Sequence, residues 1–121
     1  MTRLVAGIVL AGGASRRMGT PKAGLVHEGR TFLAHVVGKL RGAGIDDLIV
    51  VSGSAHDAVL AALPSGDAAR VLRNPDPDRG QLSSLKLALA ELRTRERPRP
   101  EAAIVALVDH PTVQATTVER L

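Results

Sequence analysis

Four short apolar runs separated by helical patterns constrain this chain more than any other feature of it. Leu4–Ala11, Asp47–Ser52 (DLIVVS), Arg70–Arg73 and Ala102–Val108 have the length and β-branched content of strands. Between them, Thr31–Ala43 carries Phe32, Val36, Val37 and Leu40 at helix-face spacing, and Gly42 and Gly44 close it. Ala55–Leu63 reads as a short helix stopped by Pro64, and Leu82–Arg95 sets Leu85, Leu89 and Leu92 on one face. Thr116–Leu121 reads as the start of another helix. Strands without polar alternation are buried on both faces, as in parallel sheets covered by helices. The expected architecture is therefore α/β, a three-layer sandwich around an open, mostly parallel sheet with right-handed crossovers. Composition agrees: 45% of the 121 residues are hydrophobic, yet Phe32 is the sole aromatic. The core must be built from Val, Leu, Ile and Ala. Residues 1–121 are expected to form one domain.

Several function classes are disfavoured. The chain has no cysteine, so there is no disulfide framework and no thiolate metal site. No apolar run approaches the length of a membrane span, and no secretory leader is visible, which leads us to expect a soluble, cytoplasmic protein. The net charge of +4, from 16 Lys and Arg against 12 Asp and Glu, would suit nucleic acid. Much of it sits in Arg93, Arg95, Arg97 and Arg99 around Pro98 and Pro100. With no interleaved aromatics to stack bases, that run reads as a solvated connection, and no nucleic-acid partner is expected. His27, His35 and His56 are too scattered for a metal site and read as surface or packing residues.

In open α/β sheets ligands bind outside the carboxyl ends of the strands, where every unusual loop of this chain falls. The first strand runs into Leu10-Ala11-Gly12-Gly13-Ala14-Ser15-Arg16-Arg17-Met18-Gly19-Thr20-Pro21-Lys22. Glycines there let backbone N–H groups approach an anion closely, while Arg16, Arg17 and Lys22 add fixed positive charge. The segment is suited to a nucleotide's phosphates. It is not a P-loop, because Gly19 is followed by Thr20-Pro21-Lys22 rather than Lys-Ser/Thr. Nor do Gly12, Gly13 and Gly19 match the spacing of the dinucleotide fingerprint.

The pattern L-A-G-G-x-S-x-R-M-G-x-P-K instead resembles the signature of the nucleotidyltransferase superfamily, and most closely the molybdenum-cofactor guanylyl- and cytidylyltransferases. Sugar-phosphate and methylerythritol-phosphate nucleotidyltransferases are more distant. The resemblance implies a Rossmann-like sandwich and transfer of NMP from an NTP to a phosphorylated small acceptor, with molybdopterin leading. Two other readings stay open: a catalytically incomplete nucleotide-binding or regulatory module, and a sugar-phosphate nucleotidyltransferase. Relatives continue for several further elements, so the domain is expected to be incomplete at its carboxyl terminus.

In nucleotidyl transfer an acceptor phosphate oxygen attacks the α-phosphorus and pyrophosphate leaves. Both reactants are anions, so charge neutralisation and in-line positioning carry most of the catalysis. Leu10, Ala11, Gly12, Gly13 and Ser15 are expected to hold the triphosphate, the backbone N–H groups from Ala11 to Ser15 being placed for it. Arg17 and Lys22 occupy the family's catalytic basic positions, whereas Arg16 lies at a variable one. Beyond the fourth strand, which should neighbour the first, Asp109-His110-Pro111 matches the family's D-x-P setting. Asp109 there implies a Mg²⁺ ligand, in keeping with that ion's preference for a few carboxylates plus phosphate oxygens. The segment Gly80-Gln81-Leu82-Ser83-Ser84-Leu85 resembles the family's G-x-x-S-S-L loop. By that resemblance Gly80, Ser83 and Ser84 line the base and ribose pocket, although either serine would also serve as a helix N-cap. The serines resemble the loop of cytidylyltransferases and Gly12-Gly13 that of guanylyltransferases, so the resemblance implies CTP or GTP as the nucleotide.

Overall fold

In the computed structural model, the described residues are 5–11, 26–53, 56–63, 69–75, 81–94, 100, 102–107 and 115–119. Chain order is β1 (Val5–Leu10), β2 (Val26–His27), β3 (Arg30–Thr31), α1 (Phe32–Gly42), β4 (Asp47–Ser52), α2 (His56–Ala62), β5 (Arg70–Arg73), α3 (Gln81–Thr94), β6 (Ala102–Leu107) and β7 (Ala115–Glu119). The main sheet has the order β5-β4-β1-β6-β7. β5, β4, β1 and β6 are parallel, and β7 runs antiparallel to β6. This is the expected mostly parallel α/β sheet.

Alternate residues of the central strands feed two separate cores. Val9, Leu48 and Val50 pack with Leu33, Val36, Val37 and Leu40 of α1 and with Val59 and Ala62 of α2. Ala6, Ile8, Leu10, Ile49 and Val51 face the other way, onto Ala88 and Leu92 of α3. Helices therefore cover both faces, giving the three layers, and β1 and β4 are buried on both sides. β5 differs. Its pattern Arg-Val-Leu-Arg keeps arginines exposed at both ends, which suits an edge strand that must resist further pairing.

Gly7 is required by close packing. A Cβ there would run into Leu48 Cδ2 and lie 3.3 Å from Ile45 Cγ2 and 3.4 Å from Leu40 Cδ1. α1 is tied at both ends. Thr31 Oγ1 accepts from the Ala34 N–H at 3.0 Å as N-cap and donates to the Ala62 carbonyl at 2.6 Å, joining the start of α1 to the end of α2. At the other end Gly44 adopts φ 88°, which lets the Ile45 N–H return to the Leu40 carbonyl at 3.1 Å and sends Ile45 into the core.

Two elements differ from the sequence expectation. The segment expected to begin a helix at Thr116 contains β7, which pairs along β6 from Ala102↔Glu119 to Ala106↔Ala115. Thr116, Thr117 and Val118 are β-branched, and the free edge of β6 supplies partners for their backbone groups, so tertiary pairing overrides a weak helical pattern. The hairpin β2–β3 was not anticipated. It turns through Glu28 (φ 52°) and Gly29 (φ 79°), a two-residue turn with both φ values positive, where glutamate is an unusual occupant.

Candidate functional site

The order in which strands are added to the sheet reverses between β1 and β6. From β1 the chain builds outward through β4 to β5, then crosses back to place β6 on the other side of β1. Such a switch point leaves a crevice at the carboxyl ends of the two strands. Leu10 and Leu107 are register partners, so β1 and β6 end side by side. The strand leading to Asp109 thus adjoins β1, as expected.

Gly12, Gly13, Ser15, Arg17, Lys22, Gly80 and Asp109 lie outside the described residues, as do Arg16 and His110. Leu10 and Ala11 are described and buried, on opposite faces of the sheet. The Ala11 N–H donates to the Val51 carbonyl at 2.9 Å, extending the β1–β4 ladder by one rung. This amide, expected to face the triphosphate, has its partner within the sheet.

The described part of the carboxyl edge is built from hydrogen-bonded polar groups. Among the described residues the buried polar side chains are Ser52, Asn74 and Ser84, and all of them sit at this edge. Ser52 ends β4; its Oγ donates to the Leu72 carbonyl at 3.3 Å and shares a 2.5 Å hydrogen bond with His56 Nδ1. Asn74 follows β5, and its N–H donates to the Ser52 carbonyl at 2.8 Å. Its Nδ2 donates to Ser83 Oγ and to Ser84 Oγ, both at 2.9 Å. No buried side-chain polar atom among the described residues lacks a partner.

α3 starts at Gln81, so Ser83 and Ser84 stand inside its first turn rather than at its cap. The buried stripe of α3 runs through Ser84, Ala88 and Leu92, one helical turn apart each time. Ser84 therefore occupies a position that an apolar residue would normally fill, and Asn74 satisfies its hydroxyl. Leu82, 62% exposed, offers an apolar surface on the same turn. Sequence reasoning set Asn74 at the start of the loop that carries Ser83 and Ser84 without giving it a role of its own, and missed the Ser52–His56 pair. A Ser-x-x-x-His spacing is too common to signal anything alone, and an asparagine before Pro75 reads as an ordinary turn residue.

No group of three or more His, Cys, Asp or Glu side chains among the described residues is arranged to hold a metal ion. No helix among them is long and apolar enough to cross a membrane.

The MobA-like NTP transferase domain matches residues 7–121. The chain belongs to this family. The nicotine blue oxidoreductase of Paenarthrobacter nicotinovorans is 34% identical over 97% of this chain and 55% of its own length. A probable molybdenum cofactor guanylyltransferase of Rhodopirellula baltica is 40% identical over 69% of this chain and 39% of its own length. The crystal structure of Rv0371c from Mycobacterium tuberculosis superposes with TM-score 0.75 at 38% identity, covering 93% of this chain and 56% of that one. Its complex with manganese gives TM-score 0.69 at 33% identity, covering 91% and 53%. The chain spans about half or less of the length of these relatives.

Proposed function

We propose that this chain forms the nucleotide-binding part of a nucleotidyltransferase that moves NMP from CTP or GTP to a phosphorylated small acceptor, releasing pyrophosphate. The observation that carries the reading is the switch point between β1 and β6; in sequence the Gly12–Lys22 segment follows the first of these strands and Asp109 the second. Family membership supports the same chemistry. Backbone N–H groups from Gly12 to Ser15 bind the triphosphate, and Lys22 and Arg17 offset charge at the α-phosphorus and on the departing pyrophosphate. Asp109 provides a hard carboxylate oxygen of the kind Mg²⁺ takes, and the manganese complex of Rv0371c supports a divalent-cation site. When bound, the ion neutralises phosphate charge. Since the reaction consumes an NTP, we place the protein in the cytoplasm.

The acceptor we assign is molybdopterin, supported by the guanylyltransferase relative. A second reading, of a nucleotide-binding module without transferase activity, is favoured by the nicotine blue oxidoreductase, a relative over nearly the whole chain whose name is not that of a transferase. Pyrophosphate release separates the two. The full-length protein is incubated with CTP or GTP, Mg²⁺ and either molybdopterin or a sugar phosphate. Release only with molybdopterin supports the first reading, and release with a sugar phosphate reassigns the acceptor. Nucleotide binding without release under any condition supports the module.

A further inference from the structure

Asn74 holds an unusual place in this edge. Its backbone is anchored to β4 through the Ser52 carbonyl, and its side chain reaches the start of α3. Ser83 and Ser84 are consecutive on the helix and so point about 100° apart. One amide nitrogen nevertheless reaches both, and its two hydrogens allow one bond to each hydroxyl. Core packing does not demand this arrangement. Apolar residues at 74 and 84 would fill the same space without a polar group to satisfy.

We propose that Asn74 is a positioning residue: it holds Ser83 and Ser84, and with them the first turn of α3, in place for the base and ribose of a bound nucleotide. The inference rests on the nucleotide-site reading above and goes beyond it by naming what sets the pocket. Two consequences follow from the hydrogen bonds. The start of α3 is tied to the residue after β5 by the Asn74 carboxamide, in addition to the apolar packing of Ala88 and Leu92 on the sheet. The serine oxygens also have a defined polarity, acting as acceptors toward Asn74, which turns the proton of Ser84 away from it.

The test separates base-side from phosphate-side binding. CTP, GTP and tripolyphosphate are titrated calorimetrically into the full-length wild type, Asn74→Ala, the Ser83→Ala/Ser84→Ala double variant and the combined triple variant. Asn74→Ala is expected to lose about tenfold in nucleotide affinity, the effect of one displaced hydrogen-bonding unit, with tripolyphosphate affinity unchanged. The triple variant should bind no more weakly than the serine double, because Asn74 acts through the serines. If Asn74→Ala does not fold, Asn74→Asp preserves the volume and removes the donors, and its tripolyphosphate affinity isolates the effect of the added charge. Wild-type nucleotide affinity in the Asn74 variant, or an equal loss for tripolyphosphate, would overturn the inference alone. A wild type that binds neither nucleotide overturns the nucleotide site, and this inference with it.

Discussion

Ser52, Asn74 and Ser84 are buried without being apolar, and each is tolerated because a neighbour completes its hydrogen bonds. A buried polar group left unpaired costs about 1–3 kcal/mol, so such a set persists only where every member is satisfied. The charged residues assigned to phosphate carry the sharpest expectations at this scale. Lys22→Ala and Arg17→Ala should each weaken triphosphate binding by about 1.5–3 kcal/mol, as loss of a charge-assisted contact does, and Arg16→Ala by less. Titration calorimetry with CTP and GTP measures this, and unchanged affinity in both variants would remove the phosphate site from this segment. Asp109→Asn should reduce the Mg²⁺-dependent part of nucleotide binding while leaving metal-free binding nearly unchanged, because the amide keeps the shape but loses the anionic oxygen. Titration at several Mg²⁺ concentrations decides it; wild-type magnesium dependence would give Asp109 a structural role.

At the scale of elements, the contact between α1 and β1 depends on the absence of a side chain. Leu48, Ile45 and Leu40 converge on Gly7, and the latter two belong to the C-terminal end of α1 and its cap. Gly7→Ala should destabilise the fold by about 1–3 kcal/mol through overpacking, despite the higher strand propensity of alanine. Urea unfolding checks the sign; a stabilised variant would mean that the Leu48 side chain yields at no cost. The sequence showed where α1 begins and ends, since Thr31 and Gly44 are local signals. Its tie to α2 was not legible, because Thr31 and Ala62 are 31 residues apart. The edge pair Arg70–Glu91, at 2.9 Å with Arg70 largely exposed, links β5 to α3 but contributes little in solvent.

Across the whole molecule, two cores share β1 and β4, so neither helix layer has an independent sheet on which to remain folded. Unfolding should be a single cooperative transition. Leu33→Ala, under α1, and Leu92→Ala, under α3, should each cost about 2–5 kcal/mol. Being on opposite faces, their effects should add to within about 0.5 kcal/mol in the double variant. Far-UV circular dichroism is the suitable probe, since the chain has no Trp or Tyr. Two resolved transitions, or strong non-additivity, would contradict the shared-sheet account.

The sequence by itself determined the strands and helices of the parallel α/β unit, the apolar faces of those helices, and the edge where the glycine-rich segment emerges. Each of these is encoded over a few residues, by hydrophobic period, capping chemistry or a glycine that ends a helix. The resemblance of Leu10–Lys22 and Asp109-His110-Pro111 to nucleotidyltransferases was equally local. Only the tertiary structure decided the direction of Ala115–Glu119, which follows from the free edge of β6 rather than from helical periodicity. It alone assigned the Ala11 amide to Val51, brought Ser52 to His56, and set Asn74 between Ser83 and Ser84. A hydrogen bond between side chains of different elements leaves no periodic trace in a sequence. Its energy depends on the geometry of packed neighbours, which exists only once the chain has folded.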